Sequence, residues 1–289
     1  MATKVSIIGA GRVGTALGVA LSRKGYEIAT ASRSFSSAQN LAQSAGGQAY
    51  QELSQAALKG DIIFITTPDS QIASVARGLV EEGGIKRGVV LFHVSGDHSS
   101  EILSPCKEAG AYIGSLHPLQ SFADREEAAN NFPGSFFALE GDTEAVSCGE
   151  KIVSALEGRL LRITPEVKAL YHAGACAASN YLVTVVDLGV QLFKAAGIQE
   201  GFGLEALLPL IHGTIRNLER VGLPHALTGP ISRGDVSTVK EHLEAMVKYS
   251  PELIDLYSEL GKHTIGIGLA KGTIGPEEEI EIKKALENV

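Results

Sequence analysis

Apolar residues fall into short unbroken runs separated by amphipathic segments. Val5–Ile8, Tyr26–Ala31, Asp61–Thr66, Val89–Val94, Ala111–Leu116, Phe136–Glu140 and Arg159–Ile163 are predicted strands, with a short one near Gln48–Ala49. A continuous run such as DIIFIT belongs to a strand covered by helices on both faces. Between the runs, Thr15–Lys24, Phe35–Ala45, a polar segment reaching Lys59, Ser70–Val80 and Thr143–Leu156 read as helices. Strands alternating with helices predict a doubly wound, Rossmann-like parallel α/β sheet. After Pro165 the pattern changes, and no convincing strand follows. Glu166–Gly197 is apolar and rich in small residues. It predicts a spine helix of about 48 Å at 1.5 Å per residue. Leu204–Val221, a helix capped by Asp235 and running to Tyr249, one opening at Ser250-Pro251 and one at Pro276 complete the chain. The expected organisation is a dinucleotide-binding α/β domain over 1–164 and an all-helical domain over 165–289.

The first strand leads into Gly9, Gly11 and Gly14 at GxGxxG spacing. Gly9 permits the turn, Gly11 lets a pyrophosphate approach the backbone, and Gly14 lets the helix pack on the strand. An anion then meets the unpaired N–H groups at the helix start. A preceding strand, a following helix and a second strand supply the context this motif needs. Arg12 and Val13 lie inside the turn and count with it as cofactor contacts. At the end of the second strand, Ser32-Arg33-Ser34 stands where NAD-specific sites place a carboxylate on the ribose. Arg33 suits a 2′-phosphate instead, so the expected cofactor is NADP. Thr67 and Pro68 end the DIIFIT strand, where they can wall the cofactor. Asp69 is expected to cap the helix after them.

Composition narrows the function classes. A net charge of −8 over 289 residues opposes nucleic-acid or anionic-membrane binding. Cys106, Cys148 and Cys176 have no paired short spacing and read as reduced thiols, with no metal cage. No apolar stretch is expected to approach the ~20 residues of a membrane span, and the apolar N-terminus is broken by glycines and Arg12. The expectation is a cytoplasmic protein.

Ligands of doubly wound sheets collect outside the carboxyl ends of the strands. Ser95 and His117 fall there, whereas His93 lies inside a strand and reads as core. On the spine helix, Lys168, His172, Ala175 and Ser179 share one stripe at 100° per residue, with Asn180 at its edge. A lysine, a histidine and amides facing a nicotinamide can polarise a carbonyl or imine and deliver a proton. Solvated Lys168 and tight packing over Gly174–Ser179 is the structural alternative. Lys168 or His117 is the expected acid/base, with His172 beside Lys168 and with Asn180 and Ser95 orienting. Arg233, in a turn-rich loop, is a candidate carboxylate clamp.

Four segments carry a family resemblance over nearly the whole chain: IIGAGRVGTAL, HPLQSF (His117–Phe122), YHAGACAASNYL (Tyr171–Leu182) and ALTGPISRGD (Ala226–Asp235). The chain resembles bacterial Rossmann-like proteins whose helical C-terminal domain is catalogued as of unknown function. The resemblance implies kinship with pyrroline-5-carboxylate reductase, ketopantoate reductase and 6-phosphogluconate dehydrogenase. Those enzymes bind NADP in the N-terminal domain and build much of the substrate site from the helical one, and many dimerise through it. The Lys and Asn four residues apart in 6-phosphogluconate dehydrogenases are not reproduced, since His172 follows Lys168 at that spacing. The strand-end His-Pro is similar to one in prephenate and arogenate dehydrogenases, without their flanking residues. The expected activity is NADP(H)-dependent hydride transfer to a small polar carbonyl or imine that bears a carboxylate, in a homodimer. The alternatives are an NADP(H)-binding sensor or scaffold without turnover, and a reduced deazaflavin in place of NADPH.

Overall fold

The computed structural model describes residues 2–122 and 128–288. Eight strands form one sheet: β1 (Lys4–Ile8), β2 (Glu27–Ala31), β3 (Gln48–Tyr50), β4 (Ile62–Ile65), β5 (Val90–His93), β6 (Tyr112–Pro118), β7 (Phe136–Gly141) and β8 (Arg159–Arg162). Their order is β3-β2-β1-β4-β5-β6-β7-β8. The order therefore reverses between β1 and β4, the switch point at which such sheets bind ligands. β1 to β6 are parallel as expected, but β7 runs antiparallel to β6, with Ser115 opposite Glu140. This corrects the all-parallel expectation. A parallel neighbour needs a crossover of a dozen or more residues, usually a helix. The described residues between β6 and β7 supply only a 3₁₀ turn at Ala128–Asn131.

Helices α1 (Arg12–Arg23), α2 (Phe35–Ala45), α3 (Leu53–Ala57), α4 (Asp69–Glu81), α5 (Ser104–Glu108) and α6 (Thr143–Ala155) cover the sheet. Ile7 belongs to a core with α1, α2 and α6, whereas Ile8 belongs to one with α3, α4 and α5. Successive side chains of a strand face opposite ways, so one apolar run serves two layers. Asp69 is not the cap of α4. It is the first helical residue, behind Pro68, and its carboxylate accepts the Ser95 hydroxyl at 2.8 Å.

The chain divides into two compact units, residues 1–179 and 180–289. The divide lies inside α7 (Lys168–Ala195), fifteen residues beyond the Pro165 boundary read from the sequence. The reason is chemical: the first turns of α7 bond to β6 through Lys168 and Tyr171. In the second unit, α8 (Phe202–Val221) follows the end of α7, and Gly189 and Gly203 lie where the two helices touch. α9 (Val236–Tyr249), α10 (Ile254–Lys271) and α11 (Pro276–Glu287) enclose a core of Val239, Leu243, Ile265, Ile282 and Leu286. Asp235 caps α9 as expected, accepting the Thr238 N–H at 3.1 Å.

Pro165–Ala195 reaches a mean hydropathy of 1.3 over 18 residues with only 6% of that window buried. By length and composition this helix is able to cross a membrane, which corrects the expectation that no stretch approaches a span. Its alanines, leucines and valines raise the mean, although Asn180 and Asp187 interrupt the run.

Candidate functional site

The glycine turn is shaped as its spacing requires. Gly9 has φ +115°, a left-handed conformation, and a side chain there would lie 2.9 Å from the Thr66 and Thr67 backbone. At Gly14 a Cβ would run into the Gly9 carbonyl oxygen and come within 2.5 Å of Thr66 Oγ1. That hydroxyl ties the two loops by donating to the Gly9 carbonyl at 2.5 Å. No side chain caps the first turn of α1, so its N–H groups remain available to an anion. A pocket of about 570 Å³ opens here, lined by Gly9, Gly11, Ser32, Arg33, Ser34 and Pro68 among others. Thr67 Oγ1 is buried beside it with no partner among the described residues. A glycine cradle, an uncapped helix start, an orphan hydroxyl and an exposed Arg33 fit a phosphorylated dinucleotide. Ser34 itself caps α2, accepting the Ser37 N–H.

A second group of side chains lies at the ends of β5 and β6, where the start of α7 packs. Ser115 and His117 are two apart on β6 and so share a face. Lys168, the first residue of α7, is 1% exposed and donates to Ser115 Oγ. Burial pulls its ammonium down to about 8, against the raising pull of Glu140, Asp69 and Asp97. Glu140 faces Ser115 across the β6–β7 ladder and is fixed by the Ser100 N–H and hydroxyl, both at 2.7 Å. His117 Nδ1 and the Tyr171 hydroxyl are hydrogen bonded at 2.9 Å. Burial, then the Lys168 and His172 charges, lower the His117 imidazole to about 4, while burial raises the Tyr171 phenol to about 12. The His172 ring stands edge-on to His117 at 5.9 Å and rests against Gly96. Its Nδ1 is buried with no partner among the described residues, and its Nε2 lies 3.5 Å from the Cys176 thiol.

The nucleotide pocket and this cluster are joined by a short bonded path. Pro68 lines the pocket, Asp69 beside it holds the Ser95 hydroxyl, and Gly96 lies under the two histidines. The Ser95 oxygen also accepts the Asp97 and His98 N–H groups, both at 3.2 Å, so Ser95 shapes the turn with its hydroxyl already engaged. His93 is buried as expected. Its Nδ1 accepts the Ser95 N–H, which makes Nε2 the protonated nitrogen that donates to the Ser99 carbonyl. Burial and Lys168 lower it to about 3.

Lys168, His172 and His117 thus come together, and Ser95 lies one residue from the cluster. Lys168 is sealed beneath it. Ser179 and Asn180 are exposed, two turns further along α7. Arg233 belongs to the second unit, in the 3₁₀ turn Ile231–Arg233. Tyr171, Ser115, Glu140 and Gly96 were not singled out from sequence, and Cys176 was read only as a reduced thiol. Ser115 had one available signal, its two-residue spacing from His117. Among the described residues no cluster of three or more His, Cys, Asp or Glu side chains is arranged to hold a metal ion.

Sheet order, glycine turn and helical remainder define a Rossmann-like protein with a helical C-terminal region. Residues 1–118 match the family described as Rossmann-like domain, and residues 135–264 match the Domain of unknown function (DUF2520). This bears out the resemblance read from the sequence. No curated protein matches the chain. Among solved structures, a protein of Thermotoga maritima is 29% identical, with a TM-score of 0.72 over 92% of this chain and 99% of its own. A putative NADP oxidoreductase of Bacteroides fragilis is 25% identical, with a TM-score of 0.74 over 92% and 98%. A pyrroline-5-carboxylate reductase of Coxiella burnetii shares the fold at 13% identity, with a TM-score of 0.58 over 99% and 97%.

Proposed function

We propose that this chain is an NADP(H)-dependent oxidoreductase of a small polar carbonyl or imine compound that carries a carboxylate. The observation that carries the reading is the bonded path from the glycine-turn pocket through Pro68, Asp69 and Ser95 to Gly96, His172 and His117. It sets a titratable cluster beside a dinucleotide cradle at the switch point of the sheet. The similarity to a putative NADP oxidoreductase supports the same class. When bound, NADPH supplies a hydride.

The chain's residues do the rest. Gly9, Gly11, Arg12, Val13 and Gly14 seat the pyrophosphate on the α1 N–H groups, while Ser32, Arg33 and Ser34 take the 2′-phosphate. Thr67 and Pro68 wall the ring side. His117 presents a nitrogen to the reacting group with the His172 ring edge-on beside it, and Lys168 acts from beneath as a fixed charge. The test is calorimetry with NADPH and NADH, then NADPH oxidation across a panel of 2-oxo acids and cyclic imines. Tight NADPH binding with turnover of a panel member is expected. Binding without turnover of any member favours a sensor, and no binding refutes the reading.

The protein is further proposed to be a cytoplasmic homodimer. Leu170 is 76% exposed, Val183 70%, Leu210 66% and Phe202 54%, on α7 and α8. Large apolar side chains exposed in this way suit cover by a partner, and two-fold dimers are the commonest case. Light scattering should give about twice 30.3 kDa at micromolar concentration; a monomer mass refutes it.

A further inference from the structure

The carbonyl and imine alternatives demand different chemistry from the protein. A carbonyl needs a hydrogen-bond donor at its oxygen, and a negative charge develops there during reduction. An imine is reduced as a cation, with an N–H that is itself a donor. The following inference rests on the proposed oxidoreductase reading and decides between the two.

We propose that Tyr171 is a positioning residue that holds His117 as a neutral imidazole with its proton on Nε2, and that this N–H is offered to a carbonyl oxygen, which makes the site one for a ketone or aldehyde group and not for a protonated imine. The direction of the bond decides the tautomer. The 2.9 Å contact joins a phenol oxygen to Nδ1. A phenol is a far better donor than a neutral imidazole N–H, and an imidazole nitrogen is a far better acceptor than a phenol oxygen. Tyr171 therefore donates, Nδ1 accepts, and the remaining proton sits on Nε2. Among the described residues Nε2 has no hydrogen-bond partner, and it is not one of the sealed polar atoms. It is the nitrogen open to a ligand.

The charges around His117 point the same way. Lys168, on α7, and His172, one turn along that helix, both disfavour a proton on it, and no carboxylate acts in the opposite sense. Tyr171 is uncharged at neutral pH. His93 on β5 is held neutral by burial and by the Lys168 charge. Glu140 on β7 is occupied by Ser100, and Asp69 on α4 by Ser95. A cationic imine at Nε2 would meet a donor and like charge, whereas a carbonyl oxygen meets a donor and a potential that favours its growing negative charge.

The proton balance closes with these residues. The carbonyl carbon would take the hydride that a bound NADPH supplies, leaving NADP⁺, and the C=O electron pair would move to oxygen. That oxygen takes the Nε2 proton, Nδ1 takes the Tyr171 proton, and the phenolate takes one from water. An alkoxide is more basic than a phenolate whose acid lies at about 12, so the transfer runs downhill.

The test begins without any substrate. In uniformly ¹⁵N-labelled protein at pH 7, long-range proton–nitrogen correlation should show His117 neutral and protonated at Nε2. Tyr171→Phe should shift His117 towards a mixture of tautomers while the other backbone signals stay in place. Protonation at Nδ1, a cationic ring at pH 7, or no response to Tyr171→Phe overturns the proposal. Turnover with NADPH is then compared for ketones and aldehydes against cyclic imines. Reduction of carbonyl compounds, with kcat about 10²-fold lower in Tyr171→Phe and cofactor affinity unchanged, is expected. Reduction of imines alone overturns the carbonyl assignment. No turnover of either class overturns the oxidoreductase reading and with it the carbonyl preference, while the spectrum by itself still decides whether Tyr171 sets the tautomer.

Discussion

Mild acid should loosen the N-terminal unit before its carboxylates titrate, because folding holds two histidines neutral. His93 moves from 6.5 to about 3 on folding and His117 from 6.5 to about 4. Both folded values are depressed for a base. Between the folded and unfolded values the unfolded chain binds more protons, so stability rises with pH across that window and is lost as pH falls through it. At 1.36 kcal/mol per pH unit, acidification from 6.5 to 5 costs roughly 2 kcal/mol for each histidine, and roughly 4 for the pair. The assay is urea titration at pH 7, 6 and 5. It is read by hydrogen exchange of the Val90–His93 amides, since two compact units need not unfold together. His93→Gln keeps a donor for the Ser99 carbonyl and removes the titrating group. The variant is expected to be less stable at pH 7, with its pH 7 to pH 5 difference smaller by roughly 2 kcal/mol than that of the parent. Equal stability of the parent at pH 7 and pH 5, or an undiminished difference in His93→Gln, would refute the reasoning.

Gly14→Ala drives a methyl into the Gly9 carbonyl and Thr66 Oγ1. A loss of about 1–3 kcal/mol and a fall of more than tenfold in NADPH affinity are expected by urea titration and calorimetry. Arg33→Ala removes the cation beside Ser32 and Ser34 and should weaken NADPH by about 10–100-fold, the worth of a charge-assisted phosphate contact. NADH affinity should hardly change, and an equal loss for both cofactors counts against the phosphate clamp. Gly96→Ala places a methyl 2.9 Å from His172 Cε1 and 3.0 Å from His117 Cε1. NADPH should still bind, whereas turnover of any panel substrate should drop about 10²-fold through misplaced rings. Unchanged turnover would remove the two histidines from the chemistry.

The sheet was legible because each apolar run is bounded by glycine, serine or proline, and because α1 to α6 alternate with the strands. What the sequence could not disclose was direction. β7 reads as the same kind of run as β5, yet it runs antiparallel to β6, and the described residues between them hold only a 3₁₀ turn. The division into compact units, which falls beyond Pro165, was hidden for a related reason. Pro165 marks a change in composition, but Lys168, Tyr171 and His172 reach back across more than fifty residues to Ser115, His117 and Gly96. Contacts of that sequence separation leave no periodic trace.

The candidate site divides along the same line. The nucleotide cradle is local, with Gly9, Gly11 and Gly14 within six residues, and its chemistry follows from backbone geometry. The second cluster depends on register. Helical spacing put Lys168 and His172 on one stripe, but spacing does not say how deep each lies. Lys168 is 1% exposed against Ser115. A cation so placed acts on substrate through its field and not by contact. Its effect is visible on the two histidines it depresses, and so in the proposed reading the acid/base role expected of Lys168 or His117 goes to the residue whose nitrogen stays open. In the structure that nitrogen is His117 Nε2, with Tyr171 behind it and Lys168 below. Lys168→Met tests the division of labour directly. Removal of the charge should raise the His117 and His93 values from about 4 and about 3, and should abolish the stability gained as pH climbs from about 8 towards 10.5. If both histidines titrate unchanged in that variant, the field of Lys168 does not reach them and its burial serves packing alone.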